Sequence, residues 1–329
     1  MFVSSRFIKK VLHFLLALLL LLIINFAIPR LMPGDPFLML NTEDGSTSVS
    51  YTEEQLLLYY AFYGLDKPLP IQFMSYIGGL FHGDWGYSLF YKKAVLPMIM
   101  DRIGWTLSMV AAALVISTVI GSILGCLSAW QHRKAMDQSM YVVFVLLAEI
   151  PGFIFGILLL FWLSATLDWF PLSGGKSHYQ SFSSWVELAA DRVHHAVLPV
   201  LTLSFSSVGA SYLYSRSSML SVLDKVYLTT ARAKGLNPST LIFRHAFRNA
   251  LPPIVTRVFL SLGTALGGAI LVENVFRYPG IGLFMQEAVM LRDYPVIQGI
   301  FLMFSLMVLS MNAFADFVLR KLDPRVSAP

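Results

Sequence analysis

Six apolar stretches dominate this chain. As helices, they would each be about as long as a bilayer is thick. A helix needs about 20 mostly apolar residues to cross the hydrocarbon layer. The stretches that meet this requirement lie at about 11–29, 103–130, 139–167, 196–214, 254–276 and 295–318. With 56% hydrophobic and 13% charged residues over 329 positions, the chain lacks the polar surface of an ordinary soluble domain. The sequence therefore predicts an all-α, multi-pass membrane protein with six transmembrane helices.

Lysine and arginine are unevenly divided between the two sets of loops. The N-terminus, 131–138, 215–253 and the C-terminus hold 14 of them, whereas the longer set 30–100, 168–198 and 277–295 holds 8. Because cytoplasmic loops carry the excess, both termini are predicted to be cytoplasmic, with residues 1–10 as the N-terminal tail. No A-x-A-like cleavage site follows 11–29, so this stretch is expected to remain as the first span. Residues 30–100 then form a small external cap between helices 1 and 2, and 101–329 form the membrane core.

The sequence predicts no catalytic or metal site. The segment "SGGKS" (173–177) resembles the end of a P-loop, but the motif needs a glycine where the chain has Phe170. The single Cys126 excludes an intrachain disulfide. Four histidines are expected outside the membrane, and their spacing does not bring them together as metal ligands. They are His82, His178, His194 and His195. The four acids expected within or beside the membrane are scattered over different spans; they are Asp101, Glu149, Glu273 and Asp316.

A basic stretch, "YLTTARAKGLNPSTLIFRHAFRNALPPI" (227–254), lies in the longest predicted cytoplasmic loop. Asn237 is a suitable N-cap, and Pro238 suits the first helical position. Apolar residues recur at helical spacing from Ile242 to Ala250, while Arg244 and Arg248 share another face. Such a basic amphipathic helix either lies on anionic lipid headgroups or docks a cytoplasmic partner, and composition alone leaves both possibilities open.

Motifs along nearly the whole chain are similar to those of the permease subunits of ABC importers, in the branch that handles dipeptides, oligopeptides and nickel. "TTARAKGL" and "RHAFRNALPP" resemble the loop motif of that family. The further motifs, in chain order, are "MPGDP" (32–36), "YGLDKPLPIQF" (63–73), "GDWGYSL" (83–89), "RSSML" (216–220), "GGAILVENVFRYPGIG" (267–282), "RDYPVIQG" (292–299) and "LDPRV" (322–326). The chain has Thr229, Thr230 and Ala231 where the broader permease pattern begins with Glu-Ala-Ala, which is usual in the peptide branch.

The resemblance implies that the loop 215–253 seats in a groove of an ATPase subunit and passes its movement to the membrane helices. The positions that carry this role by resemblance are Thr229, Ala231, Ala233, Gly235, Leu236, Pro238, Arg244, His245, Arg248, Asn249, Leu251 and Pro252. It further implies a second, homologous permease, two ATPase subunits that bind ATP and Mg²⁺, and an extracytoplasmic substrate-binding protein, in the inner membrane of a prokaryote. Membrane lipid is the remaining partner; no nucleic acid is expected, nor any cofactor on this chain.

Two acids are candidates for the substrate path. Glu149 stands in "EIPGF" (149–153), where the family commonly has Ser-Ile-Pro. A carboxylate is costly in lipid, so Glu149 either lines the path or snorkels or pairs with a neighbouring subunit. Glu273 matches a glutamate of the family and is expected to close a polar contact at the outer end of span five. The breadth of the family favours a peptide cargo, with nickel or a metal chelate as the alternative and a secondary transporter as a more distant one.

Overall fold

The computed structural model describes residues 5–31, 57, 66–88, 90–177 and 182–322. Nearly half of the predicted cap lies outside these ranges, as do "MPGDP", His178 and the last seven residues. Helices make up most of the described chain. They are α1 Ser5–Leu31, α2 Leu69–Phe81, α3 Val95–Trp130, α4 Ala135–Glu149, α5 Gly152–Leu159, α6 Trp185–Leu223, α7 Val226–Ala233, α8 Pro238–Thr240, α9 Arg248–Phe276, α10 Ile281–Met290 and α11 Tyr294–Leu322.

Two π-helical segments extend this set. Leu160–Thr166 continues α5, and Leu241–Phe247 joins α8 to α9. The strands β1 (Tyr87–Ser88) and β2 (Lys93–Ala94) form a short antiparallel hairpin, in which Tyr87 pairs with Ala94 and Ser88 with Lys93.

Among the described residues, four helices are long and apolar enough to cross a membrane. They are Val95–Trp130, Trp185–Leu223, Arg244–Phe276 and Tyr294–Ala315. A fifth span is present if α4 and the helix that follows it are counted together. In α1, the apolar part identified is Phe14–Ile28, which is shorter than the roughly 20 residues that a span needs. A multi-pass helical fold is thus present, and the sixth span at 11–29 stays a prediction.

The predicted span 139–167 contains two helices rather than one. Ala135–Glu149 and Gly152–Thr166 are bent by 92° at the short break between them. Pro151 explains the break, since proline has no backbone N–H and its ring disfavours helical backbone at the residue before it. Ile150 accordingly has extended backbone, with φ −79° and ψ 123°. Glu149 is therefore the last residue of α4 and lies directly at the bend.

Helices extend beyond the predicted apolar stretches because polar residues cap and support their ends. α6 begins at Trp185, eleven residues before the predicted span at 196. The Ser184 hydroxyl accepts a hydrogen bond from the Glu187 backbone N–H at 3.3 Å, and the Glu187 carboxylate accepts one from the Ser183 N–H at 2.8 Å. This reciprocal arrangement is close to a capping box and stabilises the first turn of the helix.

The chain divides into two compact units, of which the first comprises residues 1–102 and 284–306. In this unit α1 packs on α2 through aromatic rings, with the Phe26 and Phe73 centroids 5.2 Å apart. Asn25 Nδ2 donates to the Tyr76 hydroxyl at 3.0 Å. The Ser88 hydroxyl of the hairpin donates to a carboxylate oxygen of Asp293, just before α11. The described part of the predicted cap is thus held by both apolar and polar contacts within its own unit.

The second unit comprises residues 103–283 and 307–329 and contains most of the membrane helices. α3 and α6 approach each other at two glycines four residues apart. A Cβ at Gly121 would lie 2.6 Å from Cβ of Ser211, and a Cβ at Gly125 would lie 2.6 Å from the Tyr212 carbonyl oxygen. Small residues at this spacing allow close backbone approach between helices in membranes. The backbones of α3 and α6 are therefore in close contact at these two glycines.

Candidate functional site

The basic segment, residues 226–252, is built from two helices joined by a turn. α7 ends at Ala233, and the chain re-enters helical structure at Pro238, a residue suited to a first helical turn. Between them Gly235 has φ +74°, in the left-handed region that residues with a side chain rarely adopt. A Cβ at this position would meet no atom within 4 Å. Backbone conformation, and not lack of space, therefore requires glycine here.

The second half of the basic segment is continuous with a membrane span. Helical structure runs from Pro238 through the π-helical segment Leu241–Phe247 into α9, which ends at Phe276. Pro252 and Pro253 lie inside α9 and do not end it. The sequence predicts a short separate helix before a span at 254–276; the structure instead joins the two. A displacement of the basic segment would therefore be passed directly along α9.

One side of the basic segment is buried in an apolar cluster. From the segment, Leu228, Leu241 and Ala246 are at most 2% exposed. They pack in one cluster with Cys126 and Ala129 of α3 and with Met219 and Val222 of α6. Cys126 accordingly serves as a small apolar side chain in this cluster. Burial of this face fixes the segment to the two closely packed helices of its unit.

Most of the residues that the sequence identifies for partner contact are exposed. Those classed as exposed are Thr229, Ala233, Gly235, Leu236, Pro238, Arg244, Arg248 and Asn249, and those partly buried are Ala231, His245, Leu251 and Pro252. Asn249 Nδ2 donates to the His245 carbonyl oxygen at 2.6 Å. Eight of the twelve predicted positions, two arginines among them, are thus accessible, and their contact with a partner stays a prediction.

A buried ion pair that sequence reasoning missed lies beside this cluster. Arg216 Nε donates to Asp137 Oδ1 at 2.7 Å and its Nη2 donates to Oδ2 at 2.8 Å. The Asp137 side chain is 2% exposed and also accepts a hydrogen bond from the Ser128 hydroxyl at 2.6 Å. Such two-point contact between arginine and carboxylate is strong and directional. Through these three residues, α3, α4 and α6 are joined.

Glu273 is fully buried at the end of α9 and forms a second polar junction. Its Oε1 accepts from the Thr106 hydroxyl at 2.6 Å, and its Oε2 accepts from the backbone N–H groups of Gly282 at 2.6 Å and Leu283 at 3.2 Å. A Cβ at Gly280 would lie 2.1 Å from Glu273 Oε1. The glycines of the "YPGIG" motif leave room for this carboxylate, which satisfies donors at the start of α10.

The turn between α9 and α10 is equally well packed. Arg277 has φ +47°, and the Tyr278 N–H donates to the Glu273 carbonyl oxygen at 2.9 Å, which closes the helix end. The rings of Tyr278 and Trp105 pack edge to face with centroids 5.5 Å apart. Burial raises the pKa of Tyr278 to about 12, so its phenol stays protonated at neutral pH. Glu273 therefore belongs to a packed structural corner.

Glu149 has a different environment from Glu273. It is exposed at the end of α4, and its carboxylate makes no hydrogen bond or ion pair within the described part of the chain. Neither acid is among the residues that line a polar cavity of the second unit. The two predicted path residues are therefore not brought together.

That polar cavity has a volume of about 230 Å³ and lies between α3, α6 and α9. Its hydroxyl-bearing lining residues are Thr118, Ser206, Ser207, Ser211, Tyr214, Ser261 and Thr264, and its charged lining residue is Arg257. The lining on α9 extends from Ile254 to Gly268, which corresponds to about 21 Å along a helix at about 1.5 Å per residue. Sequence reasoning did not identify this site, although Arg257 inside a predicted span was the available signal.

The histidines expected outside have local partners where the structure describes them. His194 Nε2 lies 3.0 Å from the Trp169 carbonyl oxygen, and His195 Nδ1 lies 2.9 Å from the Asp191 carbonyl oxygen. His82 Nδ1 lies 2.8 Å from the Gly78 carbonyl oxygen. Among the described residues, no group of three or more metal-binding side chains could hold a metal ion.

Comparisons with known proteins give consistent matches. The family described as "Binding-protein-dependent transport system inner membrane component" matches residues 121–328. A Brucella suis protein whose name describes a peptide permease is 37% identical over 312 residues, covering 94% of each chain. The oligopeptide transport system permease protein AppB of Bacillus subtilis is 32% identical over 324 residues, covering 98% of this chain and 99% of its own.

A solved structure shows the same fold. The inward-facing methionine ABC transporter MetNI includes a chain that aligns with a TM-score of 0.54 at 13% sequence identity. The alignment covers 69% of the present chain and 97% of that chain. At this level of identity the likeness shows a shared fold over about two thirds of the present chain.

Proposed function

Since the chain belongs to the family of binding-protein-dependent transport system inner membrane components, we propose that it forms half of the membrane path of a peptide importer. Members of this family are the transmembrane permease subunits of ABC importers. Partner subunits supply ATP hydrolysis, and a substrate-binding protein supplies the cargo. The observation that carries the proposal is an accessible basic segment continuous with a span that lines a polar cavity.

The basic segment is the proposed contact with an ATPase subunit. Its exposed positions, from Thr229 to Asn249, form the surface, while its buried side is anchored on α3 and α6. Closure of the ATPases would push this surface, and the unbroken helix into α9 would carry the movement into the wall of the cavity. Such a movement would exchange an inward-open for an outward-open arrangement of the path. ATP and Mg²⁺ belong to the partner subunits in this proposal.

The proposed assembly contains a second, homologous permease, two ATPase subunits and an extracytoplasmic binding protein. A cavity of about 230 Å³ is smaller than the roughly 300–1,000 Å³ of pockets that enclose whole small ligands. This size supports a path whose opposite wall comes from another subunit. The distribution of lysine and arginine supports cytoplasmic termini and a cytoplasmic basic segment, in the inner membrane of a prokaryote.

Peptide is the proposed cargo, because relatives that align along nearly the whole chain are named for peptides. Besides the oligopeptide permease, the di/tripeptide transport system permease protein DppB of Pseudomonas aeruginosa is 32% identical and covers 92% of this chain. The positive charge of Arg257 in the polar cavity disfavours passage of a bare metal cation such as nickel. Glu149, which is exposed at the bend before Pro151, either faces the path or pairs with the neighbouring permease.

The proposal is tested by reconstituting the chain with its partner permease and ATPases into liposomes. With the cognate binding protein and ATP, labelled tri-alanine is expected to accumulate inside, whereas labelled nickel ion is not. Omission of ATP or of the binding protein provides the control for leakage. Uptake of nickel ion with no uptake of di-, tri- or longer peptides would contradict the peptide assignment.

A further inference from the structure

The polar cavity contains a positive charge that no acid of the cavity balances. Arg257 is the charged residue among the described side chains that line it. Its guanidinium lies over the Tyr214 ring, 4.4 Å from the centroid, and makes no hydrogen bond or ion pair within the described part of the chain. Arginine remains protonated at any pH that a protein experiences. The cavity therefore contains a cationic side chain whose N–H groups have no hydrogen-bond acceptor among the described residues.

Because its face lies over the Tyr214 ring, the Arg257 guanidinium is suited to bind a planar anion through its edge. A guanidinium that stacks on an aromatic face is held by one face, while its N–H groups point outward from the edge. Those N–H groups match the two oxygens of a carboxylate in spacing and plane. Because Tyr214 and Arg257 come from α6 and α9 respectively, the contact also fixes the charged group between two walls of the cavity.

The remaining polar groups of the cavity are neutral hydroxyls. Thr118, Ser207 and Ser211 make no hydrogen bond within the described part of the chain, whereas Ser206 and Ser261 donate to carbonyl oxygens of their own helices. Hydroxyls both donate and accept, so they can contact peptide N–H and C=O groups without selecting a side chain. These hydroxyls are therefore suited to contact the backbone of a peptide rather than a particular side chain.

The dimensions agree with a short peptide. An extended chain spans at most about 3.3–3.6 Å per residue, so a tripeptide is about 10 Å long. The wall of α9 from Ile254 to Gly268 extends about twice that distance, with Arg257 near one end.

We propose that Arg257 binds the terminal carboxylate of the transported peptide, while the hydroxyls of the polar cavity contact its backbone. This inference rests on the proposed peptide import and adds that the permease itself recognises the anionic end of the cargo. An anionic lipid headgroup is the competing occupant for any arginine near a membrane surface. The hydroxyls around Arg257 favour the peptide, because they can form hydrogen bonds with peptide N–H and C=O groups, which lipid chains lack.

The test measures binding to the complete transporter, purified with its partner subunits in phosphatidylcholine nanodiscs and without binding protein or ATP. Labelled tri-alanine is the probe, and unlabelled tri-alanine and tri-alanine C-terminal amide are the competitors. The variants are Arg257→Gln and Arg257→Lys. Arg192→Gln is the matched control, since Arg192 likewise stacks over a ring, that of Trp105 at 5.1 Å, but is not among the residues lining the cavity.

Wild-type transporter is expected to bind the amide about ten- to hundredfold more weakly than the free acid, as expected for loss of a charged hydrogen-bonded contact. Arg257→Gln should weaken binding of the acid by a similar factor and bring the acid-to-amide ratio close to one. Arg257→Lys should keep part of the preference for the acid over the amide, and Arg192→Gln should keep all of that preference.

Two results would overturn the inference in different ways. An acid-to-amide ratio that Arg257→Gln leaves unchanged, in a wild-type transporter that imports tri-alanine, would overturn the carboxylate site and leave the proposed function intact. A wild-type transporter that neither binds nor imports peptide would overturn both. If Arg257→Gln instead alters only the response to added phosphatidylglycerol, equally for acid and amide, the residue holds a lipid headgroup and the peptide site is refuted.

Discussion

Replacement of Gly235 offers a direct measure of how much the turn of the basic segment matters for coupling. The residue has φ +74°, and a Cβ there would meet no atom within 4 Å. Any penalty from a new side chain therefore arises from backbone conformation alone and not from a clash. The series Gly235→Asn, Gly235→Ala and Gly235→Val increases this penalty stepwise, because asparagine tolerates the left-handed region and valine tolerates it least.

The expected magnitude follows from the cost of left-handed backbone. For residues with a Cβ this cost is about 1–2 kcal/mol, with β-branched side chains at the upper end. About 2 kcal/mol for valine would shift the balance between the native turn and a relaxed one by about 30-fold, since 1.4 kcal/mol corresponds to a factor of ten. A relaxed turn would displace the helix that starts at Pro238 and hence the exposed surface that the partner contacts.

The assay is ATP hydrolysis by the reconstituted transporter, with and without loaded binding protein, alongside uptake of tri-alanine. Stimulation should decrease in the order Gly, Asn, Ala, Val, and Gly235→Val should abolish both stimulation and uptake while the protein still inserts. Gly83→Val is the matched control, because Gly83 has φ +77° and also has open space around a new Cβ. It imposes the same strain far along the sequence from the basic segment.

Two outcomes would refute this reasoning. Normal stimulation of Gly235→Val by loaded binding protein would show that the turn does not transmit coupling. Equal loss in Gly235→Asn and Gly235→Val would show that the partner surface requires a bare glycine, and that backbone conformation is not the reason.

Three other positions give further tests. Arg216→Lys keeps the charge but loses the two-point contact with Asp137, so the apparent melting temperature in detergent should fall by a few degrees, equivalent to about 1–2 kcal/mol; an unchanged value would mean the contact adds no stability. Gly280→Ala places a Cβ where the Glu273 carboxylate lies and should sharply lower the yield of folded protein, measured by size-exclusion chromatography. Glu149→Gln should lower cargo-dependent ATP hydrolysis with normal assembly, whereas reduced assembly with wild-type turnover would indicate pairing between subunits.

The helical architecture could be predicted because apolar length is a direct physical requirement of the bilayer. The ends of the helices could not be predicted in the same way, because hydropathy indicates only the apolar part of each helix. α6 begins at Trp185, not 196, because the Ser184 and Glu187 side chains complete its first turn, a signal that capping rules can recognise. The break in 139–167 likewise follows from Pro151, whereas its 92° angle depends on packing that no local rule contains.

The candidate site was only partly predictable. Motifs located the basic segment, and helical periodicity indicated which of its faces is apolar. The contact between Arg216 and Asp137 joins residues 79 positions apart and has no signature in a single sequence. Arg257 differs, because a charged residue inside a predicted span marks a functional position by default. Its stacking on Tyr214 and its place in a cavity emerge only when α6 and α9 are packed.

The π-helical segment Leu241–Phe247 has a consequence for insertions and deletions in the gene. A π-helical turn holds more residues than an α-helical one, so it can revert to α-helix when a residue is lost. In a regular α-helix, losing one residue rotates everything beyond it by about 100°. We expect single-residue deletions within 241–247 to be tolerated better than deletions in the middle of α9. Length variation among relatives should therefore concentrate in this segment, where it leaves the register of the span unchanged.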